Sequence, residues 1–438
     1  MVYQTVDKEQ KIGYNIYSNK IGRKKMNKKQ AVDLIVNEKY YSINDLRYNQ
    51  KVGIMLSKDE FEHFLSIKDQ LIDEGFEYIK TLPLKTFNSR HCFYVNAVYL
   101  LQTQNEYLRL FVSDYELNQS SLFDRNIEDM LTSRLFSEIE GTLNIENIPT
   151  THRHIVEVSK SENLTEENDI IVKNMLNAIR FIVNEKPAFN KENLRNLYNI
   201  LSKDCLPEKL QIKDGAYYRD DKVYIGAFEG APTEIVEECM DSLFAFANDP
   251  ESLKIHEDYL PYICHYYILY IHPYFDYNGR TARMVSFWLN YINKIPYAPY
   301  FMSEAINESK NDYYRAITDT RNTNNDLTYF LGYILETSIK YGFVYKNLEE
   351  MKKMLSKTGD TLTSTEWVYV KKILVHNPED YFNYKMFLTY IHATMTRQGA
   401  LKILNNLNSY GILEKTTNKK GDIIFRFNQE FITYKYHK

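Results

Sequence analysis

A run of twelve residues constrains this chain more than any other feature: His272-Pro273-Tyr274-Phe275-Asp276-Tyr277-Asn278-Gly279-Arg280-Thr281-Ala282-Arg283. The apolar stretch leading into it, Tyr259 to Phe275, contains Cys264, His265 and His272. It is too short and too polar to span a membrane and reads as a buried core helix. A second helix begins near Gly279, so the intervening loop presents backbone N–H groups and a helix N-terminus, a natural anion site. Arg280 and Arg283 fall three apart on the first turn of that helix, hence on one face, where guanidinium forks can grip phosphate oxygens bidentately. Asp276 is a hard oxygen ligand, and magnesium in nucleotide sites takes one or two protein carboxylates, the rest being phosphate and water. An imidazole titrates at about pH 6.5 when unperturbed, which suits His272 to take a proton from an incoming hydroxyl. No folding requirement asks for this whole set in one loop, so the chemistry is expected here.

The remaining sequence frames that loop. A chain of 438 residues has room for two or three domains. The net charge of -4 gives no global push toward nucleic acid or an anionic membrane. No signal-peptide pattern opens the chain, and Cys92, Cys205, Cys239 and Cys264 lack metal-site or disulfide spacing. A soluble, cytoplasmic protein with no membrane partner is the expectation. Residues 1–120 mix polar lysine-rich segments with short apolar runs. Phe93 to Val95 and Leu108 to Val112 are expected as strands and Lys58 to Gly75 as a helix, a small α+β region whose role the sequence does not give.

Helical periodicity takes over from about residue 126, where Ile127, Met130, Leu131, Leu135 and Ile139 recur at helical spacing and Gly141 supplies a stop. Further helices are expected over 165–185, 190–203, 232–248, 257–272, 279–294, 303–321 and 326–342. Ala216 to Pro232 interrupts them with two short β-prone runs and turn residues, read as a hairpin. Lysine-rich residues 346–358 read as a linker. Beyond it, 364–375, 382–391 and 395–409 suggest three short helices, and Gly411 to Lys415 and Asp422 to Phe427 two strands joined at Asn418 to Gly421. Three helices and a hairpin outline a winged helix over 359–438. Lys and Arg outnumber Asp and Glu there. Arg397, Lys402, Lys419 and Lys420 could meet nucleic-acid phosphates, with dimerisation or target docking as the other use.

The central run resembles the signature of Fic-domain proteins, H-x-F-x-[D/E]-G-N-G-R-x-x-R, most of which transfer AMP from ATP to a protein hydroxyl. The similarity extends over roughly 125–342, including the hairpin and Ser303 to Ile317. It implies a mainly α fold: a Fic-type helical core over 121–345 with a β-hairpin flap, flanked by the N-terminal α+β region and the C-terminal winged helix. By resemblance His272 is the base, Asp276 the magnesium ligand, and Asn278 with the loop amides, Gly279 among them, the α-phosphate holder. Arg280 and Arg283 would hold the β- and γ-phosphates. Lys222, Val223, Tyr224, Ile225 and Gly226 would centre the flap that clamps a target segment as an added strand. The chain departs from the signature in two places. Tyr274 replaces the usual Phe. Tyr277 stands where Gly or Ala is usual; at φ > 0 it is strained by about 1–3 kcal/mol, and its ring can narrow the pocket or reach a phosphate.

Upstream, Phe136 to Thr142 resembles the inhibitory-helix pattern [S/T]-x-x-x-E-[G/N]. An inhibitory helix is expected near 127–141, with Glu140 ahead of Gly141 pairing with Arg283 and displacing the γ-phosphate. The expectation is a bacterial protein adenylyltransferase using Mg-ATP on an unknown target protein or on itself, autoinhibited and possible as a homodimer. The alternatives are an enzyme that removes AMP or uses another nucleotide donor, and a DNA-binding regulator whose core senses nucleotide.

Overall fold

The computed structural model describes residues 26–49, 54–117, 133–161, 164–293, 302–376, 380–391 and 393–433. The fold is mainly α, and the described strands pair two by two in antiparallel fashion. The chain divides into two units, one of Met1–Gln102 with Tyr314–Leu331, the other of Thr103–Tyr313 with Gly332–Lys438.

In the first unit helices α1 (Lys28–Ile35), α2 (Ile43–Arg47) and α3 (Lys58–Asp73) accompany a hairpin of β1 (Ile79–Lys85) and β2 (His91–Val95). Asn27 and Ser57 start α1 and α3 with reciprocal capping boxes to Gln30 and Glu60. Pro83 has no N–H to give the ladder, and the β1–β2 register shifts between Thr81 and Lys85. Tyr314–Leu331, expected from sequence to belong to the 121–345 core, groups with this unit because it supplies Asp326. That buried carboxylate takes the buried Lys68 ammonium and the Tyr40 hydroxyl, and Leu327 donates its N–H to the Phe93 carbonyl at 2.7 Å. A buried charge is tolerated only when paired, so Lys68 and Asp326 specify each other.

Helix α4 (Val98–Leu117) contains Leu108 to Val112, which sequence reading took for a strand. Short apolar runs are ambiguous between the two periods, and here Leu100, Tyr107 and Leu110 are buried at helical spacing.

The second unit continues with α5 (Ser133–Ile145), α6 (His152–Lys160), α7 (Glu167–Arg180, closing in a π turn over Phe181–Glu185) and α8 (Lys191–Ser202). A small hairpin follows, β3 (Tyr224–Ile225) against β4 (Phe228–Glu229), turning on Gly226 at φ +60°. Then come α9 (Thr233–Asn248), α10 (Pro250–His256), α11 (Leu260–Ile271), α12 (Asn278–Ile292) and α13 (Met302–Glu308), followed by α14 (Lys310–Asn322) and α15 (Thr328–Thr358), each of which has residues in both units. Nearly every residue of α11 is buried, as expected of a helix apolar on all sides. His265 within it bonds Ser286 Oγ at 3.0 Å and Tyr313 Oη at 2.8 Å, and burial, then Arg283, lower its pKa to about 3. It is a neutral core histidine.

Residues 346–358 are no linker: they complete α15. Leu348, Met351 and Leu355 are buried along one face while Lys352, Lys353 and Lys357 point to solvent, so the lysines that suggested a connector belong to an amphipathic helix. That face packs with α16 (Ser364–His376), α17 (Tyr384–Tyr390), α18 (Arg397–Ser409) and the hairpin β5 (Leu413–Thr417)–β6 (Ile423–Phe427), sharing Val370, Ile373, Phe387, Leu404 and Phe425. Phe382 bridges Phe425 on the outer edge. Arg397, Lys402, Lys419 and Lys420 are exposed. Among the described residues no helix is long and apolar enough to cross a membrane, and the four cysteines are free thiols.

Gly141 does not stop a helix. α5 runs through it to Ile145, and the glycine allows α13 to approach: a Cβ there would lie 2.6 Å from Glu304 Cα and from the Ser303 carbonyl carbon. Replacing a helical glycine with alanine ordinarily gains about 1 kcal/mol, whereas overpacking costs about 1–3 kcal/mol. Backbone atoms cannot rotate away, so the clash should win. Gly141→Ala is expected to lower the urea midpoint, losing on the order of 1–2 kcal/mol; a raised midpoint would contradict this close approach.

Candidate active site

The loop between α11 and α12 is closed at both ends by left-handed residues. α11 ends on His272 (φ 57°, ψ 63°), whose N–H bonds the Ile268 carbonyl at 2.8 Å, and Pro273 then prevents continuation. α12 begins after Tyr277 (φ 66°, ψ 4°). Asn278 braces the turn between them. Its Oδ1 accepts from the Tyr274 N–H at 3.0 Å and its Nδ2 donates to the Tyr274 carbonyl at 2.8 Å, all buried. Tyr274 is buried and stacks on Tyr198 with ring centroids 3.8 Å apart.

Two assignments from the resemblance change accordingly. The Asn278 amide, expected to hold the α-phosphate, is spent on the loop itself. Of the loop amides expected to assist it, the Tyr277 N–H donates to Asp276 Oδ1 at 2.5 Å. The first helical residues Asn278, Gly279 and Arg280 have no carbonyl one turn earlier within α12, so an anion there meets their N–H groups and the positive end of the helix. Asp276 is half exposed and lies 3.8 Å from Arg280 Nη2 through Oδ1.

Arg280 is buried, yet its Nε and Nη1 have no hydrogen-bond partner. The Tyr277 ring covers one face of its guanidinium, with 3.3 Å from Cζ to the ring centroid. Tyr277 is itself buried and its hydroxyl lies against Cys205; burial raises its pKa well above the usual phenol range. Unmet buried donors cost about 1–3 kcal/mol each, so an anion presented to the Arg280 edge would be strongly held. Tyr277 therefore roofs one face of this arginine.

Arg283 is also buried, and α5 satisfies it. Nε donates to Thr142 Oγ1 at 2.7 Å, while Nη2 reaches Glu146 Oε1 at 2.5 Å and the Thr142 carbonyl at 3.4 Å. Burial alone would raise the Glu146 pKa; Arg283, with Arg280 and Lys310, outweighs it and holds the carboxyl below the usual range. Gly279 leaves the space for that carboxylate, since a Cβ there would lie 2.7 Å from Glu146 Oε1 and 3.2 Å from Arg283 Nη1.

Glu140 is therefore not the residue on Arg283. It lies on another side of α5, where burial raises its pKa against the pull of Lys371, with Glu304 and His152 also close. The pattern [S/T]-x-x-x-E-[G/N] fits without departure at Thr142-Leu143-Asn144-Ile145-Glu146-Asn147, only six residues downstream of the site chosen from sequence. Asn147 sits at φ 59°, the conformation that explains a Gly-or-Asn requirement after the glutamate. Lys310 Nζ bonds the Ile145 carbonyl and, at 3.1 Å, Asn147 Oδ1, fixing the C-terminus of α5.

The flap residues form the hairpin expected of them. Val223 accepts from the Gly230 N–H at 3.0 Å, Lys222 pairs with Glu229 at 3.1 Å, Tyr224 is 67% exposed, and Ile225 pairs with Phe228 across the Gly226 turn. His272 lies beside the hairpin base: a Cβ on Gly230 would stand 3.2 Å from His272 Cβ and 2.8 Å from Val223 Cγ1. Sequence reasoning missed Thr142, Glu146 and Arg219.

Residues 188–289 match the profile of the Fic/DOC family. Over 67 residues, 15% of this chain, the sequence is 36% identical to protein adenylyltransferase fic-1 of Caenorhabditis elegans; the match spans 13% of that protein's length. Similar solved structures include a Fic family protein of Desulfovibrio desulfuricans G20 (17% identity, TM-score 0.44, 75% of this chain and 95% of that one). Another is a fragment of C. elegans Fic-1 (19% identity, TM-score 0.44, 59% and 77%).

Glu138 ties α5 to the next element by accepting the Ser303 N–H with both oxygens at 2.9 Å. Burial raises its pKa to about 7. For a carboxyl raised on folding, the contribution is fully present below its unfolded value of about 4.3 and is lost as pH rises through the folded one. Glu138→Gln should therefore gain stability relative to the native chain between pH 5 and pH 8, by on the order of 2–3 kcal/mol. Urea unfolding at both pH values checks this, and a pH-independent difference would refute the raised carboxyl.

Proposed function

We propose that this chain, which carries a Fic/DOC family domain over residues 188–289, transfers AMP from ATP to a protein hydroxyl and is held in check by Glu146. The observation that carries this reading is the state of the two arginines. Arg280 is buried with Nε and Nη1 unmet, whereas Arg283, one turn on, is occupied by the Glu146 carboxylate from the turn just past α5. A guanidinium awaiting an anion beside one occupied by an internal anion suits a polyphosphate site with a competitor in place.

In the reaction proposed, the target hydroxyl attacks the α-phosphorus of ATP. His272 takes the hydroxyl proton, the new P–O bond forms, and pyrophosphate leaves with its electron pair. The N-terminus of α12 and the Arg280 edge hold the phosphates in line. Magnesium fits the donors: Asp276 offers a half-exposed carboxylate, and phosphates and water commonly supply the rest of its octahedron. When bound it would neutralise phosphate charge. The exposed edge of β3, with Tyr224, supports docking of an extended target segment by strand addition.

Glu146 competes with the terminal phosphate for Arg283. A hydrogen bond to a charged group is worth about 1.5–3 kcal/mol, equivalent to about ten- to a hundred-fold in occupancy. Tyr277 favours a second reading within the same chemistry, in which the roofed Arg280 selects a donor other than ATP; a panel of nucleoside triphosphates separates the two.

Intact-mass spectrometry after incubation with ATP and magnesium is expected to show covalent AMP on the Glu146→Gly chain, or on added candidate targets, at least about tenfold above the native chain. His272→Ala in the Glu146→Gly background should abolish it. Equal labelling with and without Glu146 would remove the inhibitory role, and labelling that survives His272→Ala would remove the base.

A further inference from the structure

We propose that Arg219 is a positioning residue that locks the target-docking hairpin to the general base. Its guanidinium is buried and bonds only backbone carbonyls among its described partners. Nε donates to the His272 carbonyl at 2.8 Å, Nη1 to Asp221 at 2.6 Å, and Nη2 to Ala231 at 2.5 Å and Ile271 at 3.5 Å. The first and last of these carbonyls are the end of α11, where the helix presents its negative pole. The other two are the two ends of the hairpin. One side chain thus joins three points that would otherwise move independently: both feet of the hairpin and the residue carrying the imidazole.

The backbone repeats the same connection. Arg219 N–H donates to the Pro273 carbonyl at 3.0 Å and Ala231 N–H to the Ile271 carbonyl at 2.9 Å, so the residues on either side of His272 are each held by one foot of the hairpin. Gly230 permits the closeness, since a Cβ there would lie 3.0 Å from Arg219 Nη2. His272 is left-handed and not glycine, a conformation that costs about 1–2 kcal/mol and persists where its surroundings over-determine it. Arg219 supplies that over-determination. A planar fork of donors suits carbonyls on several sides, which a single ammonium cannot reach together.

In function, a segment added to the hairpin would be placed in register with His272, because the hairpin and the base share one anchor. The nucleotide grip lies elsewhere, on α12. The consequence for transfer rests on the function proposed above; the clasp itself does not.

The test is Arg219→Lys, which keeps charge and most of the volume. In the Glu146→Gly background the labelling rate should fall at least tenfold while the half-saturating ATP concentration stays within twofold. Hydrogen exchange at the amides of Ala231 and His272 should quicken at least tenfold, with α12 amides unchanged. Arg219→Gln should show the same split, more strongly. Native labelling and native exchange in Arg219→Lys would overturn the proposal, as would a loss of ATP affinity matching the loss of rate or exchange that quickens throughout the chain. If even the Glu146→Gly parent labels nothing, the transfer reading fails, and exchange at Ala231 and His272 still decides whether Arg219 is the clasp.

Discussion

A buried arginine is costly to leave unmet, and a chain of contacts in the second unit follows from how Arg283 is satisfied. α5 brings Thr142 and Glu146 to it. α5 is in turn seated on α13 through the glycine contact at Gly141 and the Glu138 carboxylate on Ser303. α13 is tied onward by Glu304 to Lys371 and Tyr345, and by Glu308 to Lys372. Removing one member of a buried pair costs more than the pair itself contributes, because the remaining charge is stranded. A negatively charged ligand that takes over Arg283 avoids that penalty.

The loop beside it shows the same economy of means. Two non-glycine residues in left-handed conformation bend the chain sharply at His272 and Tyr277. Asn278 holds the bend by bonding both backbone groups of Tyr274, and Arg219 holds its first corner from the hairpin side. The side-chain amide of Asn278 is thereby committed to structure. Tyr277 adds a feature specific to this chain, an aromatic lid on Arg280 that fixes the guanidinium plane while leaving two of its nitrogens unmet.

Much of this was legible in the sequence, for physical reasons. The helix before the loop announces itself by its unbroken apolar run, the hairpin by its turn residues, and the elements after Ser364 by their apolar spacing. The failures have equally local causes. Leu108 to Val112 is too short a run to separate helix from strand. The lysines of 346–358 hid the buried face of Leu348, Met351 and Leu355. Gly141 directs attention to Glu140, although the full pattern stands at Thr142 to Asn147; the glycine serves helix packing instead. The start expected for that helix, 127–132, lies outside the described residues. Tertiary facts were out of reach: that Asn278 turns inward, that Asp326 belongs with Lys68, and that Arg219 seeks four carbonyls.

The central claim is adenylyl transfer at a site gated by Glu146, and the most direct measurement asks which phosphate reaches the protein. Glu146→Gly chain given ATP labelled at the α-phosphate should acquire label that resists denaturation, and the same chain given γ-labelled ATP should acquire none. Stable incorporation from the γ position, or from neither position in a chain that still binds ATP, would contradict the account.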